Sequence, residues 1–194
     1  AKTEQTEPQF PDYFANQLPL SSHLYTQEKE IETMVGQWFA DWTPTFSTEA
    51  KFSTRDYKSK PINTVNTPEI TLNVVGALPA GSPTGLGTGT RGIIFGTERS
   101  RHFNNLATET QDAYVGANWT LGTHEVKFGG DYSDNKIFNA FLQNTKGNYT
   151  FACVNSSATY TYSFGAITCN TASAALVEQA VLENFSRGRP TSYQ

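Results

Sequence analysis

Apolar and polar side chains alternate with a period of two in several stretches of this chain. Phe46, Thr48, Ala50, Phe52 and Thr54 alternate with Ser47, Glu49, Lys51, Ser53 and Arg55. Such a pattern predicts a strand whose two faces meet different media. Upstream, Ile31 to Asp41 places Met34, Gly36, Trp38 and Ala40 on one face, with Glu32 at its edge. Thr43-Pro44-Thr45 supplies the short turn between the two runs. A second pair follows. Ala113, Val115, Ala117 and Trp119 alternate with Asp112, Tyr114, Gly116 and Asn118, and Leu121-Gly122-Thr123 turns the chain. Val126, Phe128 and Tyr132 then alternate with Glu125, Lys127 and Asp131. Both pairs read as hairpins with tight turns at one end. The predicted apolar face carries Trp38, Phe46, Ala50, Phe52, Val115, Trp119, Val126 and Phe128. The predicted polar face carries Glu49, Lys51, Arg55, Glu125, Lys127 and Asp131.

Other segments lack this clarity. Residues 1–30 read as irregular, since Pro8, Pro11, Pro19 and Ser21-Ser22 break any period. Residues 31–142 hold the hairpins, interrupted at 58–105 by a Pro- and Gly-rich excursion in which Ile70 to Val75 and Gly92 to Phe95 can form short strands. Residues 143–194 combine a polar, Tyr-rich loop with one short helix. Thr171-Ala172-Ser173 can cap that helix, and Leu176, Val177, Ala180, Val181 and Phe185 form its apolar stripe. Gly188 ends it, with Arg187 near its negative end. The fold class expected is mainly β: antiparallel hairpins with β-barrel-type alternation, long loops on one side and a short C-terminal helix. Short turns at one end and long connections at the other are the habit of outer-membrane barrels.

Composition narrows the function. Charged residues make up 16 % and aromatics 13 % of the 194 residues, a balance that suits strands. The net charge of −4 argues against a nucleic-acid partner, which needs a concentrated basic face. No apolar run is long enough for a membrane helix, a limit that does not touch β-barrels. The chain opens on Ala1-Lys2-Thr3 without a basic, apolar leader, so any signal peptide is expected to be absent or removed. Cys153 and Cys169 are the only cysteines, in a loop-like stretch without a CxxC pair or nearby histidine. A disulfide between them is expected, and with it an oxidising compartment.

No catalytic, cofactor or metal site is expected, and the chain reads as a non-enzyme. Gly87-Thr88-Gly89-Thr90-Arg91-Gly92 fits GxGxxG, but Ile93-Ile94-Phe95 after it looks extended where a dinucleotide loop needs a helix. His23, His102 and His124 are widely spaced and read as exposed or loop residues. Asp131, Asp134 and Asn135 offer three oxygen ligands for Ca²⁺, though a plain Asp/Asn turn is the simpler reading. No serine lies in a nucleophile elbow.

Several stretches together resemble one family. They are Leu24-Tyr25-Thr26-Gln27-Glu28-Lys29, Gln37-Trp38-Phe39-Ala40-Asp41-Trp42, Phe46-Ser47-Thr48-Glu49-Ala50-Lys51 and Arg55-Asp56-Tyr57. Phe95-Gly96-Thr97-Glu98, Glu125-Val126-Lys127-Phe128-Gly129-Gly130-Asp131-Tyr132, Gly147-Asn148-Tyr149-Thr150-Phe151 and Gly188-Arg189-Pro190-Thr191-Ser192-Tyr193 follow in order. This set, over residues 24–194, is similar to the barrel region of Oar-like TonB-dependent receptors, the kind preceded by a carboxypeptidase-regulatory-like domain. The resemblance implies uptake of a scarce, bulky nutrient across the bacterial outer membrane. Energy would arrive through a plug domain by TonB, and lumen-facing polar residues and extracellular loops would meet the ligand. Plug, TonB box and closing strand are not seen, so the chain is expected to be an internal piece of the barrel.

The partners implied are the rest of the barrel and plug, the TonB system and outer-membrane lipid. The alternative is a self-assembling, filament-like β protein: a released, extracellular receptor fragment whose strands pair between copies. Residues 1–20 would then be the likeliest donor to a neighbour's sheet edge. A small soluble β binding domain is a third reading.

Overall fold

The computed structural model describes residues 1–12, 16–76, 89–154 and 157–194. Part of the glycine-rich excursion, including Leu78 to Pro83 and the first two residues of the GxGxxG match, lies outside them. In chain order the strands are β1 (Lys2–Gln9), β2 (Gln17–Pro19), β3 (Tyr25–Thr43), β4 (Phe46–Asn63), β5 (Glu69–Gly76), β6 (Gly89–Phe95), β7 (Phe103–Leu121), β8 (His124–Leu142), β9 (Asn148–Ala152), β10 (Thr159–Tyr162) and β11 (Gly165–Thr168). Helix α1 (Ala174–Ser186) and β12 (Ser192–Tyr193) close the chain. The residues fall into two compact units, 1–7 with 27–60 and 104–141, and 8–26 with 61–103 and 142–194.

The first unit is a five-stranded sheet in the order β1-β3-β4-β7-β8. Its four main strands are 18 or 19 residues long. β4 and β7 pair antiparallel from Phe46↔Trp119 to Ser59↔Leu106 without a break in register. Pro44-Thr45 and Gly122-Thr123 form the tight turns. Gly122 takes the left-handed conformation there, with φ 60°, which a side chain would resist. No helix or second sheet belongs to this unit among the described residues.

The second unit holds a mixed sheet, β12-β9-β5-β6-β2. β5 runs antiparallel to β6 and parallel to β9, while β2 runs parallel to β6. Alternation along β5 turns Ile70, Leu72 and Val74 toward α1, which packs on β5 and β9. Leu72 pairs with Ile93 on one side and Phe151 on the other, and Val181 of α1 closes over Leu72 and Phe151. Phe185 adds edge-to-face contacts with Phe95 and Phe151, at 5.9 and 5.2 Å between ring centres. The expected disulfide is formed: Cys153 and Cys169, with Cα atoms 5.7 Å apart, tie the end of β9 to the residue after β11. The β10–β11 hairpin packs Tyr162 and Ile167 beside Ala180 of the helix.

Several expectations are corrected. Residues 1–30 contain β1, β2 and the start of β3, rather than an irregular segment. Ala1 and Thr33 exchange backbone hydrogen bonds, so the N-terminal strand lies on β3 of its own chain and is not left over as a donor. The 58–105 excursion begins with six more residues of β4 and ends with the first three of β7, while β5 and β6 form where the two short strands were expected. Gly89 to Phe95 form β6, so the residues after the GxGxxG match are extended as expected. His23 and His102 are buried, not exposed; only His124 is exposed. Asp131, Asp134 and Asn135 lie within β8 rather than in a turn, and Asn135 bonds Thr110 of β7. Ser173 does occupy the helix N-cap, but its side chain makes no capping bond. Gly188 ends the helix as expected. With φ 61° it donates to Phe185 O, and Arg189 N donates to Asn184 O, the paired bonds of a Schellman motif.

Candidate functional site

The long-stranded sheet presents two chemically different faces, and its register shows how they assemble. Residues directly opposite in a ladder point to the same side. Phe46 faces Trp119, Ala50 faces Val115 and Phe52 faces Ala113, so these side chains share one face. The Trp42 indole N–H donates to Thr48 Oγ1 at 2.8 Å, and Trp38 meets Trp42 edge-on at 5.9 Å, which adds both to that face. Val126, Phe128 and Tyr132 join by alternation, since Ser133 on the other face of β8 bonds Asp112. This surface is open among the described residues: Trp38, Val115 and Phe128 are 58, 61 and 57 % exposed.

The apolar face has a sharp limit. From Phe46 to Thr54 it carries no charge, and its partners Trp119 to Gln111 carry none either. Asp56 and Glu109 follow, directly opposite one another. On β3 the same alternation runs Trp42, Ala40, Trp38, Gly36, Met34 and then Glu32, and on β8 Asp134 follows Tyr132. Charge therefore enters this face on each of the four strands within a similar distance of the tight turns. The uncharged band covers nine residues of β4, close to the roughly 9–11 that a tilted strand needs to cross a bilayer. Beyond it, ion pairs gather: Lys2–Glu30 at 3.2 Å, Lys29–Glu7 at 2.6 Å and Lys60–Glu28 at 3.3 Å.

Behind the band lies the polar face. Glu49 sits opposite Gly116, Lys51 opposite Tyr114 and Arg55 opposite Thr110. Side chains connect across three strands: the Tyr114 hydroxyl donates to Glu49 at 2.9 Å, Ser133 donates to Asp112 at 2.7 Å, and Asn135 accepts from Thr110 at 3.2 Å. Gly116 lets the Tyr114 side chain lie flat, because a Cβ there would collide with the phenol oxygen. A groove of about 550 Å³ opens on this face, lined by Asp41, Glu49, Tyr114, Asn118, Lys127 and Asp131 among others. Glu125 pairs with Lys127 at 3.4 Å. Carboxylates and ammonium groups side by side suit a polar ligand or a water-filled passage, and no nucleophile–base pair is assembled there.

The second unit contains a different cluster, one that sequence reading missed. His23, Glu69, Thr97, Glu98, His102 and Asn148 are all buried, with Glu69 and Asn148 at the paired starts of β5 and β9. Glu69 Oε2 accepts from the Arg99 backbone N–H at 2.9 Å, and Arg99 Nε stands 3.7 Å from Oε1. Burial nonetheless pushes the Glu69 carboxyl above the usual glutamate range. His23 Nε2 lies 3.2 Å from Asp12 Oδ2, and Nδ1 lies 3.9 Å from Glu69 Oε2.

The comparisons agree with the two-faced sheet. Residues 2–194 match the family described as an outer membrane beta barrel domain, and the chain belongs to that family. No curated protein and no solved structure matches it. Family membership places the protein in the bacterial outer membrane and gives no support to a released extracellular fragment.

Proposed function

We propose that the chain forms part of the wall of a TonB-dependent transporter that takes up a bulky nutrient. The observation that carries this reading is excess strand length. The four main strands have 18 or 19 residues, about twice what a bilayer crossing uses. On the apolar face, uncharged residues fill only the half nearest the tight turns; beyond it Glu32, Asp56, Glu109 and Asp134 bring charge onto that face, and the strands run on into longer connections. A minimal pore has no need of such extensions, whereas a receptor that captures a large ligand above the membrane does. The mixed-charge groove behind the band supports the same reading, since it offers hydrogen bonds and both signs of charge along the inner wall. The order of motifs shared with Oar-like receptors supplies the family within this class. Its partners would be the remaining barrel strands, a plug domain and TonB, with lipid against Trp38, Phe52 and Val115.

A binding experiment with the intact outer-membrane protein tests the proposal. The periplasmic C-terminal domain of TonB, immobilised, should retain the detergent-solubilised receptor. In cells, site-directed cross-links between the two should disappear when the proton-motive force is collapsed. A protein that is neither retained nor cross-linked would leave a barrel without TonB coupling, and the proposal would fall.

A further inference from the structure

We propose that Asp12, His23 and Glu69 form a binding site for one divalent transition-metal ion of the zinc type. Donor atoms from the three residues lie within 4.8 Å of one another. The imidazole of His23 is fully buried and held between two carboxylates. Its Nε2 is within hydrogen-bond distance of Asp12, and its Nδ1 is buried with no hydrogen-bond partner.

The arrangement around Nδ1 is the informative part. With the ring proton on Nε2 and donated to Asp12, Nδ1 presents a lone pair. That lone pair faces Glu69 Oε2, a carboxylate oxygen, across 3.9 Å. Two electron-pair donors aimed at each other in a buried space repel, and 3.9 Å is too long for a hydrogen bond between them. A cation between them removes the conflict. Zinc holds nitrogen at about 2.0–2.1 Å and carboxylate oxygen at about 2.0–2.2 Å, so tetrahedral ligands stand about 3.4 Å apart. A closure of about half an ångström by rotation of the Glu69 side chain brings the 3.9 Å gap to that spacing.

Local chemistry favours this class of ion. A metal-bound histidine usually donates its other ring N–H to a carboxylate, which fixes the ring and raises its basicity. Asp12 already occupies that position. One imidazole with carboxylates suits zinc, cobalt or nickel better than calcium, which prefers six or more oxygens. Charge points the same way. Asp12 and Glu69 bring two negative charges; Arg99 stands beside Glu69, and its side chain is 52 % exposed. A dipositive ion matches the carboxylate pair, with the exposed Arg99 side chain screened by solvent.

The test uses the whole chain, refolded in detergent with its disulfide intact and stripped with chelator. Titration with Co²⁺ should give d–d absorption bands between about 500 and 650 nm that saturate at one equivalent, and Zn²⁺ should abolish them. His23→Gln and Glu69→Gln should each weaken binding at least tenfold, while His124→Ala should bind like the parent chain. If the buried substitutions prevent folding, Asp12→Asn decides instead, because Asp12 is partly exposed. Loss of a carboxylate that orients or joins the ligands is expected to cost about 10- to 100-fold in affinity. Absence of one-equivalent binding by the parent chain would overturn the proposal. So would affinity unchanged in every folded variant among His23→Gln, Glu69→Gln and Asp12→Asn.

Discussion

The two units of this chain use the same apolar residue types in opposite senses. Among the described residues, the buried apolar side chains Leu72, Ile94, Phe151, Tyr162, Ile167, Val177, Ala180 and Val181 all belong to the second unit. The first unit instead exposes Trp38, Trp42, Phe52, Val115, Trp119 and Phe128 on one face of an uncovered sheet. One region closes on itself with a helix, a core and a disulfide. The other leaves an apolar face bare over a nine-residue band that ends at Asp56 and Glu109. Hydrophobic burial drives both, but in the first unit the cover is lipid and in the second it is protein. Stability in the two should therefore respond to different perturbations.

The largest effect is expected in the second unit. Phe151→Ala removes a ring packed between Leu72, Val181 and Phe185, and should destabilise that unit by about 3–5 kcal/mol. Amide hydrogen exchange along β5 and β9 reports it, with or without a bilayer. A comparable loss of protection in β4 and β7 would mean that the two regions are not separable in this way. Next comes Phe52→Lys, a charge placed within the uncharged band. It should cost roughly 2–4 kcal/mol in lipid vesicles if it meets the middle of the bilayer, while Lys51→Gln on the opposite face should be mild. All three tryptophans belong to the first unit, so their fluorescence during denaturant unfolding follows that unit alone. Equal effects at positions 51 and 52 would remove the distinction between the faces. Reducing the Cys153–Cys169 bridge should then cost about 3 kcal/mol, the chain-entropy value for a loop of about 15 residues. The loss should be confined to exchange in β9 to α1.

What could be read from the sequence follows the same division. Alternation was legible at 46–55, 111–119 and 126–132 because each side of those strands meets a different medium. The same strands continue through 25–30, 56–63, 103–110 and 133–142, where charged residues such as Asp56, Lys58, Glu109, Asp134 and Lys136 enter the apolar face and the period breaks. β1, with the sequence Lys-Thr-Glu-Gln-Thr-Glu-Pro-Gln, is the extreme case: nothing in it marks a strand, and its place is set by bonds and ion pairs to β3. Helix α1 was legible from its apolar stripe, and the disulfide from cysteine count and context. The Asp12–His23–Glu69 cluster was not. Its members are separated by long stretches of chain, and Glu69 is buried only because β5 aligns it with Asn148 of β9.

The smallest effect should come from the contact that fastens the helix to the disulfide-bonded hairpin. Glu183 Oε2 accepts from both the backbone N–H of Ser163, at 2.9 Å, and its hydroxyl, at 2.6 Å. Arg187, one turn on, approaches the other oxygen at 3.0 Å. The two bonds from Ser163 are the main reason that the Glu183 carboxyl is held below the usual glutamate range, with Arg187 and Arg189 adding to it. A carboxyl whose pKa falls on folding stabilises the folded state only while it is ionised. The contribution is therefore complete above the ordinary glutamate value and is lost as pH falls through the lower, folded one. Exchange of the Ser163 amide should accelerate over that acidic interval, while amides in the Leu72–Phe151–Val181 core hold their protection. Glu183→Gln should loosen the Ser163 amide already at neutral pH and flatten its acid response, because the amide oxygen can still accept but carries no charge to lose. If the substituted protein keeps the same acid dependence, another group governs the latch and Glu183 does not fasten the hairpin.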